Sequence, residues 1–353
     1  MAGALLLGAC GPFGPAPGPP PAPAPPPPTS ASGGVIAGSR VGLAEAYNPL
    51  WESDAQLAAD FDAIRATGAT WVRFDFDWSA VQGNGPNAWN WAVLDRGVAA
   101  ARARGLKVLA TLAYTPAWAR PGGTTDKNPP TNPDDFAAYA RAAAQRYGAQ
   151  GVQAYEIWNE PNNPAFWQPS PDPAAYTVLL RRADAAIKAV DPGATVMTGG
   201  TSPMDGADAP AAWLQAIYAD GGGGAFDAVA HHPYTGMPYG PSTVASWNAF
   251  QQTVDVHNVM VNNGDAGKLV WGTEAGAWTG TSANAVSEAT QAQFVTEYLQ
   301  GWSNWASFTG PFFYYGLRDQ GTDLTNREDN FGLLHNDGSP KPAMATFTSD
   351  IHP

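Results

Sequence analysis

The chain has 353 residues, of which 44% are hydrophobic and 14% charged, and its formal net charge is -13. Its length suits two average domains or one α/β barrel, and its apolar content can fill a large core. An acidic chain with no basic run is a poor partner for nucleic acid or for an anionic membrane surface.

The N-terminus reads "MAGALLLGAC", with the chain's single cysteine at Cys10, so no disulfide can form within the chain. A short apolar run directly before a cysteine resembles the lipobox of bacterial lipoproteins, in which that cysteine is lipidated. The match is partial, because none of the nine residues before Cys10 is charged, whereas export signals start with a charge. The plain alternative is an Ala/Gly-rich disordered start. Residues 11–34 are dominated by Pro, Ala, Gly and Ser. Such a tract builds no core and favours extended polyproline geometry, so a disordered spacer is expected here. The folded domain is expected over 35–353.

From there, strand and helix patterns alternate. Strands are predicted at 41–46, 70–78, 107–116, 152–160, 195–200, 226–234, 268–276 and 310–319. Helices are predicted at 53–68, 91–105, 133–148, 172–190, 209–221, 242–264, 287–305 and 341–351. Ser53 and Gly68 mark the start and stop of the first helix. Strict alternation calls for a parallel sheet with helices outside it, and eight repeats close into a single (β/α)8 TIM barrel. An open doubly wound sheet is the alternative, but no Gly-rich phosphate fingerprint follows the first strand. The loops after strands are the long ones: 117–132, 161–171, 201–208, 235–241, 277–286 and 320–340. In this fold the active site lies on the face those loops build.

Two acids stand on that face. Glu160, in "YEIWNEPNNPAFW", ends the fourth strand, where Pro161 cannot continue a ladder. Glu274, in "VWGTEAGAW", ends the seventh. Strands four and seven face each other across a barrel mouth. Two carboxyls meeting over a cleft is the arrangement that glycoside hydrolysis needs.

"WNEPN" at 158–162 and "WGTEAG" at 271–276 resemble the acid/base and nucleophile motifs of clan A glycoside hydrolases. "YEIWNEPN" and the closing "DNFGLLHNDGSPKPAM" at 329–344 are most similar to glycoside hydrolase family 39 and its relatives, with family 5 second. The resemblance covers roughly 40–350. Family 39 xylosidases and iduronidases carry extra β-rich domains for which this sequence has no room, so their substrates are not carried over. The resemblance implies a retaining reaction with Glu160 as general acid/base and Glu274 as nucleophile. It also implies that Asn159 donates to the sugar 2-hydroxyl and that Arg73, on the second strand, hydrogen-bonds the nucleophile. A structural salt bridge of Arg73 with Asp75 or Asp77 is the bland alternative.

His231 and His232 are neighbours on a strand and point to opposite faces, so at most one aims at the mouth. His232 is the better candidate, together with Tyr234, as partner of Glu274 or the sugar. A metal site on the pair is disfavoured, because adjacent strand residues do not converge on one ion and no third ligand stands out. Glu156 shares strand parity with Glu160 and reads as a satisfied interior acid. Trp118, Trp167, Trp278 and Tyr315 lie in or near loops after strands and are candidate sugar-stacking platforms, with loop packing as the equal alternative. Trp89, Trp91, Trp302 and Trp305 read as core. Asp319, Asp323 and Asp329 lack a calcium-loop pattern and read as solvated surface.

The expected function is therefore an exported O-glycosyl hydrolase of the bacterial envelope, lipid-anchored through Cys10 or otherwise secreted. It would act on a poly- or oligosaccharide as a monomer, with no cofactor. A glycan-binding barrel lipoprotein without catalysis is the alternative, against which both acids being present argues. A two-lobed solute receptor fits the single run of repeats poorly. Sugar and linkage are not legible in the sequence.

Overall fold

In the computed structural model of the protein the described residues are 34–45 and 48–352; the Cys10 motif and the Pro-rich tract lie outside them. Eight parallel strands close into a barrel. They are β1 (Val41–Ala44), β2 (Trp71–Asp77), β3 (Lys107–Ala113), β4 (Val152–Asn159), β5 (Thr195–Gly200), β6 (Ala228–His231), β7 (Leu269–Ala275) and β8 (Thr309–Tyr315), with β8 pairing back onto β1. The helices that follow them are α1 (Asp54–Ala66), α2 (Ala92–Ala103), α3 (Pro133–Tyr147), α4 (Pro173–Lys188), α5 (Pro210–Ala219), α6 (Ala249–Asn262), α7 (Glu288–Asn304) and α8 (Pro342–Asp350). The (β/α)8 expectation holds.

Local chemistry sets the helix starts. The side chains of Ser53, Asn132, Asp172, Asn248 and Ser287 each accept from a backbone N–H in the first turn of α1, α3, α4, α6 and α7. Proline opens α3, α4, α5 and α8, where its missing N–H costs nothing.

The core has two layers. Inside the barrel, Ala44, Leu109, Met197, Ala228, Trp271 and Phe313 belong to one buried cluster. The larger cluster lies between strands and helices and includes Phe74, Phe76, Tyr139, Tyr176 and Trp302. The strands are buried on both faces, as all-parallel sheets require. Among the described residues, no helix is long and apolar enough to cross a membrane.

The structure departs from the sequence reading in several places. β6 stops at His231, and Pro233 has no N–H with which to extend it. α6 starts at Ala249 rather than 242, because Asn248 caps it and donates to Gly240 O and Thr243 O. A short helix, Trp78–Gln82, follows β2 directly. Ile36–Ala37 pairs in parallel with Ile351–His352, joining the two ends of the domain. Asp319 is not solvated surface: it is buried and accepts from Lys341 Nζ at 2.8 Å and from Gly332 N at 2.8 Å. Trp89 is not core either, being 40% exposed and stacked on Trp91.

Candidate active site

The end of β4 breaks strand alternation. Trp158 has φ 74° and Glu160 φ 45°, both left-handed. The register with β5 runs through Ile157↔Thr198 and Asn159↔Gly200 and skips Trp158. The Trp158 ring packs outward against Phe136 and Trp167, and its Nε1 donates to Phe166 O at 2.8 Å. Left-handed backbone costs a bulky residue of order 1–3 kcal/mol, and it persists where surrounding structure holds it. The result is that Glu156 and Asn159, three apart, both meet Arg73, so simple parity between Glu156 and Glu160 does not describe this strand end. Glu160 is fixed by its own N–H, which donates to Gly200 O at 3.0 Å, and by Asn163 Nδ2, which donates to its Oε2 at 2.9 Å.

Arg73 is buried and gives each of its nitrogens to a different partner. Nε meets Glu156 Oε2 at 2.6 Å, Nη1 meets Glu274 Oε1 at 2.5 Å, and Nη2 donates to Asn159 Oδ1 at 2.9 Å. Neither Asp75 nor Asp77 pairs with it. Glu156 also accepts from Thr111 Oγ1, Gly200 N and Thr273 Oγ1, at 3.1, 2.7 and 3.0 Å. Burial alone would push the Glu156 carboxyl up; Arg73 and His232 outweigh it and hold it at about 2. A Cβ on Gly200 would stand 2.1 Å from His232 Nε2 and 2.7 Å from Glu156 Oε1, so this strand end admits only glycine.

His232 and Tyr234 reach the same carboxylates. His232 Nδ1 lies 3.1 Å from Glu160 Oε1 and 3.7 Å from Glu274 Oε2, and its Nε2 lies 3.7 Å from Glu156 Oε1. Burial would lower its pKa, but the charge of Glu274 and the contacts with Glu156 and Glu160 raise it to about 9. Tyr234 donates to Glu274 Oε2 at 3.0 Å. His231 faces the other way, toward Thr201 Oγ1 and Ala249 O, and burial pulls it down to about 4.

Glu160, His232 and Glu274 each offer one atom within 4.8 Å of the others, which is the spacing of a metal triad. The donor set argues against that use. His232 Nδ1 is already directed at Glu160 Oε1, and Arg73 and Tyr234 already occupy Glu274.

The candidate platforms differ in placement. Trp167 is enclosed between Trp158 and Tyr176 and serves the core under its loop. Trp118 is half-buried, donating to Gln82 O at 2.7 Å. Trp278 is buried against Phe331 with Arg327 over its ring. Tyr315 meets Tyr234 and Phe331 edge-on, and its hydroxyl accepts from Gln320 at 2.8 Å. Asn163 and Gly200 were missed in the sequence. Asn163 stands in the quoted "NEPNN", and only the fold puts Gly200 beside His232.

The family model for cellulases, glycosyl hydrolase family 5, matches residues 35–309. The chain belongs to glycosyl hydrolase family 5. Within clan A, the second of the two resemblances read from the sequence is therefore the one the family model supports, while the likeness to family 39 holds at the level of fold. The family 5 chain superposes on a family 39 glycoside hydrolase from the gut symbiont Bacteroides cellulosilyticus WH2 with TM-score 0.71 and 24% identity, over 89% of this chain and 65% of that one. A monomeric beta-xylosidase from Caulobacter crescentus CB15 gives 0.68 and 20%, over 90% and 69%. The GH5_18 structure from Streptomyces cattleya, solved with GlcNAc, gives 0.66 and 19%, over 88% and 80%. The family 5 chain thus spans about two thirds of the length of the first two. No curated protein matches it.

Proposed function

We propose that this family 5 protein is a retaining glycosidase in which Glu160 is the general acid/base and Glu274 the nucleophile. One observation carries the reading: each acid puts an atom within 4.8 Å of the other. Retaining pairs stand ~5–5.5 Å apart, whereas inverting pairs need ~6.5–9.5 Å to admit a water.

In the first step a Glu274 oxygen attacks the anomeric carbon as the glycosidic C–O bond breaks, and Glu160 gives its proton to the departing oxygen. In the second, water attacks the same carbon, Glu160 takes its proton, and the bond to Glu274 breaks. Arg73 and Tyr234 hold one Glu274 oxygen each. Together they keep it aimed at the anomeric carbon. Asn159 Oδ1 is taken by Arg73, which leaves its amide N–H groups to donate to the sugar 2-hydroxyl.

The substrate class is a poly- or oligosaccharide with β-type bonds, cleaved by a monomer without a cofactor. Structural neighbours named as a xylosidase, a glucosidase and an exo-β-1,4-mannosidase support that class without choosing the sugar. Export and lipid attachment at Cys10 rest on the "LLLGAC" stretch alone. Partition of the full chain into detergent, abolished by Cys10→Ser, is the result expected of an anchor. The function itself is tested by incubating purified protein with defined oligosaccharides and following the first-formed anomer by NMR. Retention is expected, and first-formed inverted product would overturn the retaining mechanism.

A further inference from the structure

Two acids follow Arg73 along β2, and their surroundings differ. Asp77 Oδ1 accepts from Ala80 N at 3.1 Å and from Ser79 Oγ at 2.7 Å, capping the short helix. Asp75 is 3% exposed, and among the described residues none donates a hydrogen bond to it. Its natural partners are engaged elsewhere. Arg73 is committed to Glu156, Glu274 and Asn159, and Thr111, paired beside Asp75 in the sheet, donates to Glu156. The Asp75 oxygens are not among the unpartnered side-chain atoms sealed from solvent, so they keep an open edge.

An enclosed carboxylate without donors is costly. Its surroundings are built with care all the same. Tyr114, at the end of β3, holds φ 71°, a strained value for a tyrosine, and carries Lys127 Nζ 3.5 Å from its ring centroid. The loop bearing Lys127 is tied to Gln168, whose N–H donates to Lys127 O at 3.1 Å and whose Oε1 accepts from Thr125 at 2.7 Å. Burial raises Asp75 to about 7; Arg73, Lys127, Asp77 and Glu274 are the charges that act on it. Glu274 acts on Tyr114 as well. Asp75 stands two residues after Arg73 on the same strand, so it shares the face from which Arg73 holds Glu274 and lies nearer the mouth.

We propose that Asp75 binds the sugar ring attacked by Glu274, accepting hydrogen bonds from its hydroxyls against a wall made by Tyr114 and Lys127. The missing donors come from the substrate. A ring offering hydroxyls at that edge is taken, and one carrying a carboxylate there is repelled. The enzyme so built selects neutral glycosyl units over uronic acids. This rests on the glycosidase reading and adds a specificity-determining residue to it.

The test uses the full chain, its Asp75→Asn and Asp75→Ala variants, and 4-nitrophenyl β-glycosides of neutral mono- and disaccharides alongside the glucuronide. On the neutral glycoside that wild type cleaves best, both variants are expected to lose about tenfold to a hundredfold in kcat/KM, the scale of a hydrogen bond to a charged group. Preference over the glucuronide should narrow by a similar factor. The thermal midpoint should hold or rise, because a carboxylate without protein donors has gone. A merely structural Asp75 would lower the midpoint and leave the preference unchanged, and that result overturns the proposal. Activity within twofold of wild type in both variants overturns it too. Wild type that cleaves no glycoside, aryl or polymeric, overturns the glycosidase reading and this inference with it.

Discussion

Arg73 Nη1 and Glu274 Oε1 are joined at 2.5 Å across the barrel mouth, from the second strand to the seventh. The same guanidinium reaches Glu156 and Asn159 with its other nitrogens. Three acceptors, one for each nitrogen, suit a rigid fork and not a single ammonium. Arg73→Lys is therefore expected to lower kcat by about a hundredfold or more, the scale of removing one positioned hydrogen-bond donor from a reacting group. Steady-state kinetics check this, and a change confined to KM would contradict it.

Glu156 is the structural acid of the site. It is fully buried, and its removal strips Arg73 of a salt bridge and orphans donors from Thr111, Thr273 and Gly200. Breaking such a buried pair costs ~3–5 kcal/mol. Urea denaturation of Glu156→Ala should show a loss of that order. Glu274 also has several partners, Arg73, Tyr234 and His232, but its side chain is 11% exposed at the cleft edge, so water can reach the groups it leaves and Glu274→Ala should lose clearly less. Equal losses would mean that the two acids share one role.

The barrel was legible because its signals are repetitive. Strand and helix patterns alternate eight times, and capping residues stand where helices start. Glu160 and Glu274 were legible for the same reason, each ending an apolar run on the loop-rich side. What the sequence hid depends on backbone sign and distance. The left-handed turn at Trp158 reverses which side chains of β4 face inward, and no residue type announces it. Asp75 and Asp77 look alike two residues apart, yet Asp77 caps a helix that was not foreseen and Asp75 has no donor among the described residues. Trp167 sits in a loop by sequence and in the core by packing.

His232 makes fold stability depend on pH. Its pKa is raised from 6.5 to about 9 by three buried acids that outweigh burial. A base raised on folding contributes its full stability below 6.5, and that contribution is lost as pH rises through about 9. The thermal midpoint of wild type should therefore fall across that window. In His232→Gln the fall should be shallower. Asp75, raised to about 7, titrates at the lower edge of the window and is present in both proteins, so their difference isolates His232. Parallel curves would remove His232 as the source.

The division of labour between Glu160 and Glu274 is open to a decisive chemical test. Both Ala variants should fold, since each acid stands at the rim and the barrel core is built from other residues. Glu274→Ala should lose nearly all turnover, because no covalent intermediate can form. Glu160→Ala should depend on the leaving group. A dinitrophenolate needs no protonation, so the first step survives while the second, which needs a base, stalls. Azide is anionic and needs no base, so adding it should restore turnover in Glu160→Ala. Its product should be a β-glycosyl azide where the natural bond is β, since two inversions retain configuration. Azide added to Glu274→Ala should attack once and give the inverted α-glycosyl azide, whereas a retained β-azide from Glu274→Ala with an inverted α-azide from Glu160→Ala would exchange the two roles. Full activity in either variant would remove that residue from the mechanism, because neither His232 nor Tyr234 can supply a carboxylate at the same place.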